Sequence, residues 1–193
     1  MRIGVFGGSF NPVHNGHLRL ASYALSELNL NRVIFVPSNQ TPLKKKEVLL
    51  PAALRLSLLK AAVKKNRSFG VSDCELKRGG MSFTVDTLKA FKKKWGKKTE
   101  LYFLSGADVV QSLDRWKSPK KVFQLCRFVV VTRPGFKGFR SRWPVLWMPM
   151  EPVPVSSSMV RGRLSKGQSV RGLVPPLTLP ALRRYFKKIK KEI

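Results

Sequence analysis

The chain has 193 residues, 43% of them hydrophobic, and carries 38 lysine and arginine residues against 10 acidic ones, a formal net charge of +28. A chain of this length can form one folded domain, and no apolar run approaches the ~20 residues of a membrane span. We predict no signal peptide, because the first residues form a strand-like run that glycines interrupt. Cys74 and Cys126 lack the spacing of a disulfide framework, so we expect reduced thiols in a cytoplasmic protein.

Apolar, β-rich runs alternate with helical patterns along the chain. The runs are Ile3–Phe6, Val33–Val36, Phe69–Val71, Leu101–Leu104 and Phe128–Val131. Such continuous runs are typical of parallel strands that are buried on both faces. The helical patterns are Leu18–Leu28, Ala53–Val63, Ser82–Trp95 and a short segment that begins at Ser118-Pro119 and ends at Leu125. This alternation predicts an α/β fold with a doubly wound, Rossmann-like parallel sheet in a single domain, residues 1–193.

The C-terminal part is predicted to be mostly helical. A short strand is expected at Val145–Met148, and a helix start follows at Ser156–Ser158. The final helix is amphipathic, and its apolar stripe consists of Leu182, Tyr185, Phe186 and Ile189. Its basic face could contact RNA or lipid, but we expect the helix to pack on the domain with its lysines in water.

The junction between the first strand and the first helix is the most informative part of the sequence. It reads Gly7-Gly8-Ser9-Phe10-Asn11-Pro12-Val13-His14-Asn15-Gly16-His17 and holds both histidines of the chain. Glycines let a ligand approach the backbone, a helix start offers N–H groups to an anion, and histidine adds a donor that can be charged near neutral pH. We therefore predict a phosphate-binding loop. A metal site at His14 and His17 is less favoured, because no third ligand stands nearby.

This junction resembles the nucleotidyltransferase signature of the adenylyltransferase superfamily, in the form found in nicotinate-nucleotide adenylyltransferases. Further segments agree in the order of the family, namely Pro37-Ser38-Asn39, Glu75-Leu76-Lys77-Arg78, Ser82–Leu88, Ser105–Asp108, Trp116, Arg133-Pro134-Gly135 and Val155–Arg161. The resemblance covers nearly the whole chain. It implies an enzyme that joins ATP and nicotinate mononucleotide into deamido-NAD and pyrophosphate, by direct attack of the mononucleotide phosphate on the α-phosphate of ATP.

The resemblance also implies roles for individual residues. His14, His17 and Arg161 would be catalytic through contacts to the ATP phosphates, and residues 155–193 would form a helical part that closes the ATP site. The other implied ATP contacts are Gly7, Gly8, Ser9, Phe10, Lys44, Gly106, Asp108, Ser157 and Ser158. The implied mononucleotide contacts are Asn39, Phe83, Thr84, Trp116 and Arg133. Mg²⁺ is expected to arrive with the ATP phosphates, and we predict no metal site built by the protein itself.

Several of these roles compete with structural ones. The serines of Ser157-Ser158 could cap a helix, and Asp108 could cap the helix after the fourth strand. Trp116 could be an ordinary core residue. Leu43 stands where the family often has a histidine, so a phosphate contact from that loop would depend on Lys44.

The sequence leaves some functional alternatives open. Aromatic stacking does not distinguish an acid from an amide, so an enzyme that uses nicotinamide mononucleotide, or both mononucleotides, remains an alternative. A basic nucleic-acid-binding protein on the same fold is an alternative of another class, and it would bind RNA with a steep salt dependence. The intact motif histidines and Arg161 favour the enzyme, with nucleic acid bound only non-specifically. The oligomeric state is open, a homodimer being one alternative.

Overall fold

The computed structural model describes residues 1–42, 49–132 and 141–192. The strands in these residues are β1 (Arg2–Gly8), β2 (Arg32–Pro37), β3 (Phe69–Val71), β4 (Glu100–Gly106), β5 (Arg127–Thr132) and β6 (Val145–Pro149). They form one parallel sheet in the order β3-β2-β1-β4-β5-β6, in which Phe6 of β1 pairs with Phe35 of β2 and Leu104 of β4. The strand order reverses between β1 and β4, and a reversal of this kind opens a crevice at the carboxyl edge of the sheet.

Helices connect the strands and complete the C-terminal part. In the described residues they are α1 (Asn15–Glu27), α2 (Ala52–Val63), α3 (Cys74–Arg78), α4 (Thr84–Trp95), α5 (Pro119–Leu125), α6 (Ser157–Ser165) and α7 (Leu179–Glu192). Two 3-10 segments, Ala107–Arg115 and Pro176–Thr178, follow β4 and precede α7. None of the helices described here has both the length and the apolar character to cross a lipid bilayer.

The predicted α/β fold with a doubly wound parallel sheet is confirmed, and all six predicted strands are present. The first helix differs in its start, since it begins at Asn15 instead of Leu18. The backbone oxygen of His14 accepts hydrogen bonds from the N–H groups of His17 (3.0 Å) and Leu18 (3.4 Å). The helix therefore begins before its apolar stripe, and His17 lies in its first turn.

Other boundaries also differ from the sequence patterns. The fourth helix begins at Thr84 instead of Ser82, with Phe83 at its N-cap position. Sequence periodicity does not predict α3, and the helix expected after the fourth strand is present as the 3-10 segment Ala107–Arg115. Five residues in α3 are too few to display a helical period.

Hydrophobic side chains cover both faces of the sheet. Along β1, Val5 packs into one core cluster and Phe6 into the other, because successive residues of a strand point to opposite faces. The helices α4 and α5 cover the Val5 face, and α1, α2, α6 and α7 cover the Phe6 face. Leu182 of α7 is completely buried, so the last helix packs on the domain as the sequence predicts.

Candidate active site

The loop after β1 is shaped by small residues and one buried ring. A side-chain carbon on Gly8 would lie 3.4 Å from the Phe10 ring, and one on Gly7 would lie 3.2 Å from the Phe103 ring. Both glycines therefore leave room for neighbouring aromatic rings. Phe10 has a φ of 45°, in the left-handed region that residues with a side chain seldom adopt. Its ring is buried and packs edge-on against Phe6, with 5.4 Å between the centroids.

The two histidines stack on each other at the start of α1. Their ring centroids are 3.6 Å apart, and the planes differ by 29°. The backbone N–H of His14 donates to Nδ1 of His17 at 3.1 Å. Because Nδ1 accepts this bond, the proton of the neutral His17 ring lies on Nε2. His17 therefore offers an N–H donor at its far end.

Burial keeps both imidazoles neutral in the free protein. It lowers the pKa of His14 to about 4. It also lowers the pKa of His17 well below the usual range, and the charge of a protonated His14 lowers it further. Nδ1 of His14 is buried and has no hydrogen-bond partner within the described part of the chain. The loop thus holds a polar atom that a ligand or a water molecule can satisfy.

The start of α6 docks onto this loop from the other end of the sequence. Oγ of Ser157 donates to the backbone oxygen of Pro12 at 2.9 Å. Nη1 of Arg161 donates to the backbone oxygen of Asn11 at 2.7 Å. These bonds span 145 and 150 residues of sequence, and they bring the predicted serine and arginine to the loop that carries the predicted histidines.

The capping role that competes with phosphate contacts belongs to a different serine. Ser156 is the N-cap of α6, and its Oγ accepts from the N–H of Met159 at 3.1 Å. Ser157 and Ser158 lie in the first turn. The Oγ of Ser158 lies 3.0 Å from that of Ser156, so hydroxyl groups cluster at this helix start.

A further contact joins the first helix to the C-terminal part. The backbone N–H of Asn15 donates to the oxygen of Leu173 at 2.9 Å. The side-chain Nδ2 of Asn15 donates to the oxygen of Gly172 at 2.7 Å. The segment between α6 and α7 therefore holds the N-terminal end of α1.

One cavity of about 600 Å³ connects these elements. Cavities of roughly 300–1,000 Å³ are usual for small-molecule sites. The predicted site residues that line it are Gly7, Gly8, Ser9, Phe10, His14, His17, Phe83, Thr84, Gly106, Asp108, Trp116, Ser157, Ser158 and Arg161. We call the part near His14, His17 and Arg161 the histidine end, and the part near Phe83 and Trp116 the tryptophan end.

Known proteins are similar to this chain in both sequence and fold. Residues 5–163 match the cytidylyltransferase-like family. A Clostridium novyi protein named a probable nicotinate-nucleotide adenylyltransferase is 40% identical, over 89% of this chain and 91% of its own. This chain belongs to the nicotinate-nucleotide adenylyltransferase family. A Thermoanaerobacter relative with the same name is 36% identical, over 97% of this chain and 92% of its own.

A solved structure agrees with this membership at the level of the fold. It is a Plasmodium falciparum nicotinic acid mononucleotide adenylyltransferase complexed with NaAD, and it superposes with a TM-score of 0.79. The alignment covers 95% of each chain at 20% sequence identity. The doubly wound sheet of this adenylyltransferase family member is therefore shared with that enzyme.

One predicted contact within the described residues is not found on the cavity wall, and two others cannot be placed. Asn39 is not among the lining residues, and its Nδ2 donates to the backbone oxygen of Gly80 at 3.0 Å. Its role as a mononucleotide contact stays a prediction. Lys44 and Arg133 lie outside the described residues, so their roles stay predictions too.

The tryptophan end combines a core ring with a helix start. The Trp116 ring packs edge-on against Phe103 and Phe128, at 5.9 and 5.7 Å between centroids. It is half-buried and also lines the cavity, so its structural role and a ligand contact are compatible. Phe83 and Thr84 form the N-terminal end of α4, where backbone N–H groups lack helical partners.

Asp108 stands on the cavity wall in an exposed position. It lies in the first turn of the 3-10 segment whose N-cap is Gly106. The structure therefore assigns the capping position to the glycine and leaves the carboxylate of Asp108 at the cavity.

Three charged residues line the cavity although the sequence analysis gave them no role: Glu75, which lies in one of the family segments, Arg115 and Lys117. Nζ of Lys117 lies 3.0 Å from Oδ2 of Asp86 and 4.6 Å from the centroid of the Phe83 ring. Glu75 is buried, and burial raises the pKa of its carboxyl above the usual value. Arg115 and Lys117 flank Trp116 in sequence, and this adjacency was the available signal.

Proposed function

We propose that this protein joins ATP and nicotinate mononucleotide to form deamido-NAD and pyrophosphate. The observation that carries the proposal is the meeting of the histidine loop with Arg161 across the bond to Asn11. This meeting creates a site with imidazole, guanidinium and hydroxyl donors, which suits the oxygens of a triphosphate. Family membership, at 40% identity to a named relative, supports the same activity.

The chemistry that fits this donor set is a direct transfer. An oxygen of the mononucleotide 5′-phosphate forms a bond to the α-phosphorus of ATP. The bond from that phosphorus to the bridging oxygen breaks, and pyrophosphate leaves with the electron pair. No protein nucleophile is required, because alignment of the reactants and stabilisation of the developing charge supply the acceleration.

The histidine end is suited to that task. The Nε2–H of His17 donates to an oxygen on the α-phosphate, and Arg161 neutralises the leaving pyrophosphate. Ser157 and Ser158, in the first turn of α6, contribute hydrogen bonds to its oxygens. Bound phosphate charge opposes the effect of burial and raises the pKa of both imidazoles. The net charge of +28 also attracts anionic substrates to the surface.

The tryptophan end selects the mononucleotide. The ring of Trp116 stacks on the pyridine ring, and the N–H groups at Phe83 and Thr84 face its carboxylate at the positive end of the α4 dipole. A carboxylate gains more from this position than a neutral amide does. We therefore expect the site to bind nicotinate mononucleotide more tightly than nicotinamide mononucleotide.

We propose that Mg²⁺ enters with ATP and is held by phosphate oxygens and water, as is usual for this ion. The cavity fits such a complex, since Asp108 adds a carboxylate oxygen to its wall. When bound with ATP, the ion would neutralise part of the phosphate charge. The predicted cytoplasmic location and the oligomeric state stay predictions.

Product formation tests the proposal directly. The protein is incubated with ATP, Mg²⁺ and either mononucleotide, and pyrophosphate release and dinucleotide formation are both measured. We expect rapid formation of deamido-NAD and slow formation of NAD. An absence of product with nicotinate mononucleotide would refute the function, whereas equal rates with both substrates would establish a dual-specificity enzyme.

A further inference from the structure

Arg55 is a buried cation in α2 that ties three segments together. Its side chain is 1% exposed. Nη1 donates to the backbone oxygens of Ser9 at 2.8 Å and Ser38 at 2.7 Å, and Nε donates to that of Leu50 at 3.0 Å. One guanidinium therefore holds the loop after β1, the loop after β2 and the segment before α2.

The bond to Ser9 fixes the direction of a peptide group in the phosphate-binding loop. In a trans peptide the C=O group and the following N–H point in opposite directions. Because the Ser9 oxygen faces Arg55, the N–H of Phe10 points away from the guanidinium. Phe10 holds a left-handed φ of 45°, a conformation that depends on support from its surroundings. Ser9 and Phe10 both line the cavity.

The bond to Ser38 has the same effect on the next loop, and here the result is visible. The Ser38 oxygen faces Arg55, so the N–H of Asn39 points the other way. It donates to Oγ of Ser82 at 2.9 Å. Ser82 lines the cavity just before α4 begins.

We propose that Arg55 is a positioning residue that keeps the two ends of the cavity in register. A continuous chain of hydrogen bonds runs from the Ser9 peptide through Arg55 and the Ser38–Asn39 peptide to Ser82. The inference rests on the proposed function, in which the histidine end binds ATP and the tryptophan end binds the mononucleotide. Arg55 is not among the cavity-lining residues, so it acts through the loops and not on the substrates.

The reaction is sensitive to the relative position of the two substrates. Direct transfer requires the attacking oxygen and the α-phosphorus to be aligned, and a misplacement of 1 Å can reduce the rate by about 10²-fold. A guanidinium is planar and its N–H groups have fixed directions, whereas a lysine ammonium is a flexible point charge. Arg55→Lys therefore preserves the buried charge and removes the geometry.

The first experiment compares Arg55→Lys with Val63→Ala. Val63 is a buried core residue at the end of the same helix and does not line the cavity. Turnover is measured well below both melting temperatures, and affinity for an ATP analogue with a methylene between the α- and β-phosphates is measured by calorimetry. We expect Arg55→Lys to weaken analogue binding and to lower kcat/KM for both substrates at least tenfold. Val63→Ala should lower only the melting temperature.

A second experiment tests the connection to the tryptophan end. Ser82→Ala removes the acceptor of the Asn39 N–H, and Ser82→Thr restores a hydroxyl. We expect Ser82→Ala to raise KM for the mononucleotide several-fold with analogue affinity unchanged, and Ser82→Thr to rescue it. In the double variant, the effects of Arg55→Lys and Ser82→Ala on this KM should be less than multiplicative, because both act on one chain of bonds.

The proposal is overturned if Arg55→Lys changes only the melting temperature, or if the two effects on the mononucleotide KM multiply. Should Arg55→Lys not fold, an unchanged mononucleotide KM in Ser82→Ala overturns it instead. Failure of the proposed function can be distinguished from failure of this proposal about Arg55. In that case the unmodified protein makes no dinucleotide, while calorimetry with the ATP analogue still reports on Arg55.

Discussion

The guanidinium of Arg161 donates to the backbone oxygen of Asn11 at 2.7 Å, so a residue of α6 is held by the loop that precedes α1. An arginine keeps its charge at any physiological pH. The bond therefore holds a cation on the loop that carries two neutral imidazoles. The C-terminal part of the chain thus supplies a positive charge to the site, and the N-terminal part supplies uncharged hydrogen-bonding groups.

We expect Arg161→Ala to reduce kcat/KM by about 10²-fold or more, because the cation facing the leaving pyrophosphate is lost. Arg161→Lys should recover part of the rate. The matched control is Leu164→Ala, which removes a buried contact of the same helix and leaves the charge. An equal loss in the control would assign the effect to the docking of α6.

Trp116→Ala should raise KM for the mononucleotide by about 5-fold to 160-fold, given about 1–3 kcal/mol for stacking of one base on an aromatic ring. The affinity for ATP should change little. Trp143→Ala is the control, since Trp143 stacks on Phe123 at 5.0 Å and is not among the cavity-lining residues. A KM for Trp116→Ala equal to that of the unmodified protein would leave this tryptophan with a core role alone.

Gly16→Ala should impair turnover through crowding at the histidine stack. A side-chain carbon there would lie 3.1 Å from Nδ1 of His14 and 3.2 Å from Cγ1 of Val155, so the ring or the segment before α6 must move. Gly162→Ala is the contrasting variant, because nothing lies within 4 Å of its new carbon. In the helix it should stabilise the fold by about 0.5–1 kcal/mol and leave kcat unchanged. Both variants are tested by steady-state kinetics and thermal unfolding.

The free energy of unfolding should fall as the pH drops below 6.5. An unfolded histidine binds a proton near that pH, whereas burial lowers the pKa of His14 in the folded protein to about 4. The unfolded state thus binds more protons than the folded state between these two pH values. The free energy of unfolding therefore falls progressively as the pH drops from 6.5 to 4, and the total loss from His14 is about 3 kcal/mol. Urea titrations across this range should show the slope.

His14→Gln should remove the part of the pH dependence that His14 causes, because glutamine does not titrate. A saturating ATP analogue should also reduce the slope, because bound phosphate raises the pKa of the folded imidazoles towards the unfolded value. A slope in His14→Gln as steep as in the unmodified protein would assign the pH effect to other groups.

The sheet was predictable because its strands are buried on both faces. Each strand then appears as a short apolar run, and the run around Val5 and Phe6 needs no partner to be recognised. The convergence of the two chain ends was predictable only through the family motifs. No local pattern around Ser157 or Arg161 points to the backbone oxygens of Asn11 and Pro12.

Arg55 shows what a sequence pattern conceals. Within the mostly apolar α2, an arginine suggests a solvent-facing position, yet its side chain is 1% exposed. Its partners at Ser9 and Ser38 are backbone carbonyls, which every residue possesses and no sequence reveals. Glu75 was assigned no role for a related reason, since its carboxyl accepts a hydrogen bond from Thr87 and the spacing of these two residues is not distinctive.

The bonds from Asn15 to Gly172 and Leu173 have a consequence for biosynthesis. A ribosome completes all six strands before it makes the residues that hold the first helix in place. A nascent chain can therefore possess every strand of the described sheet and still lack the contacts that hold the start of α1. The start of α1 is secured only after Gly172 and Leu173 have been synthesised and have folded against it.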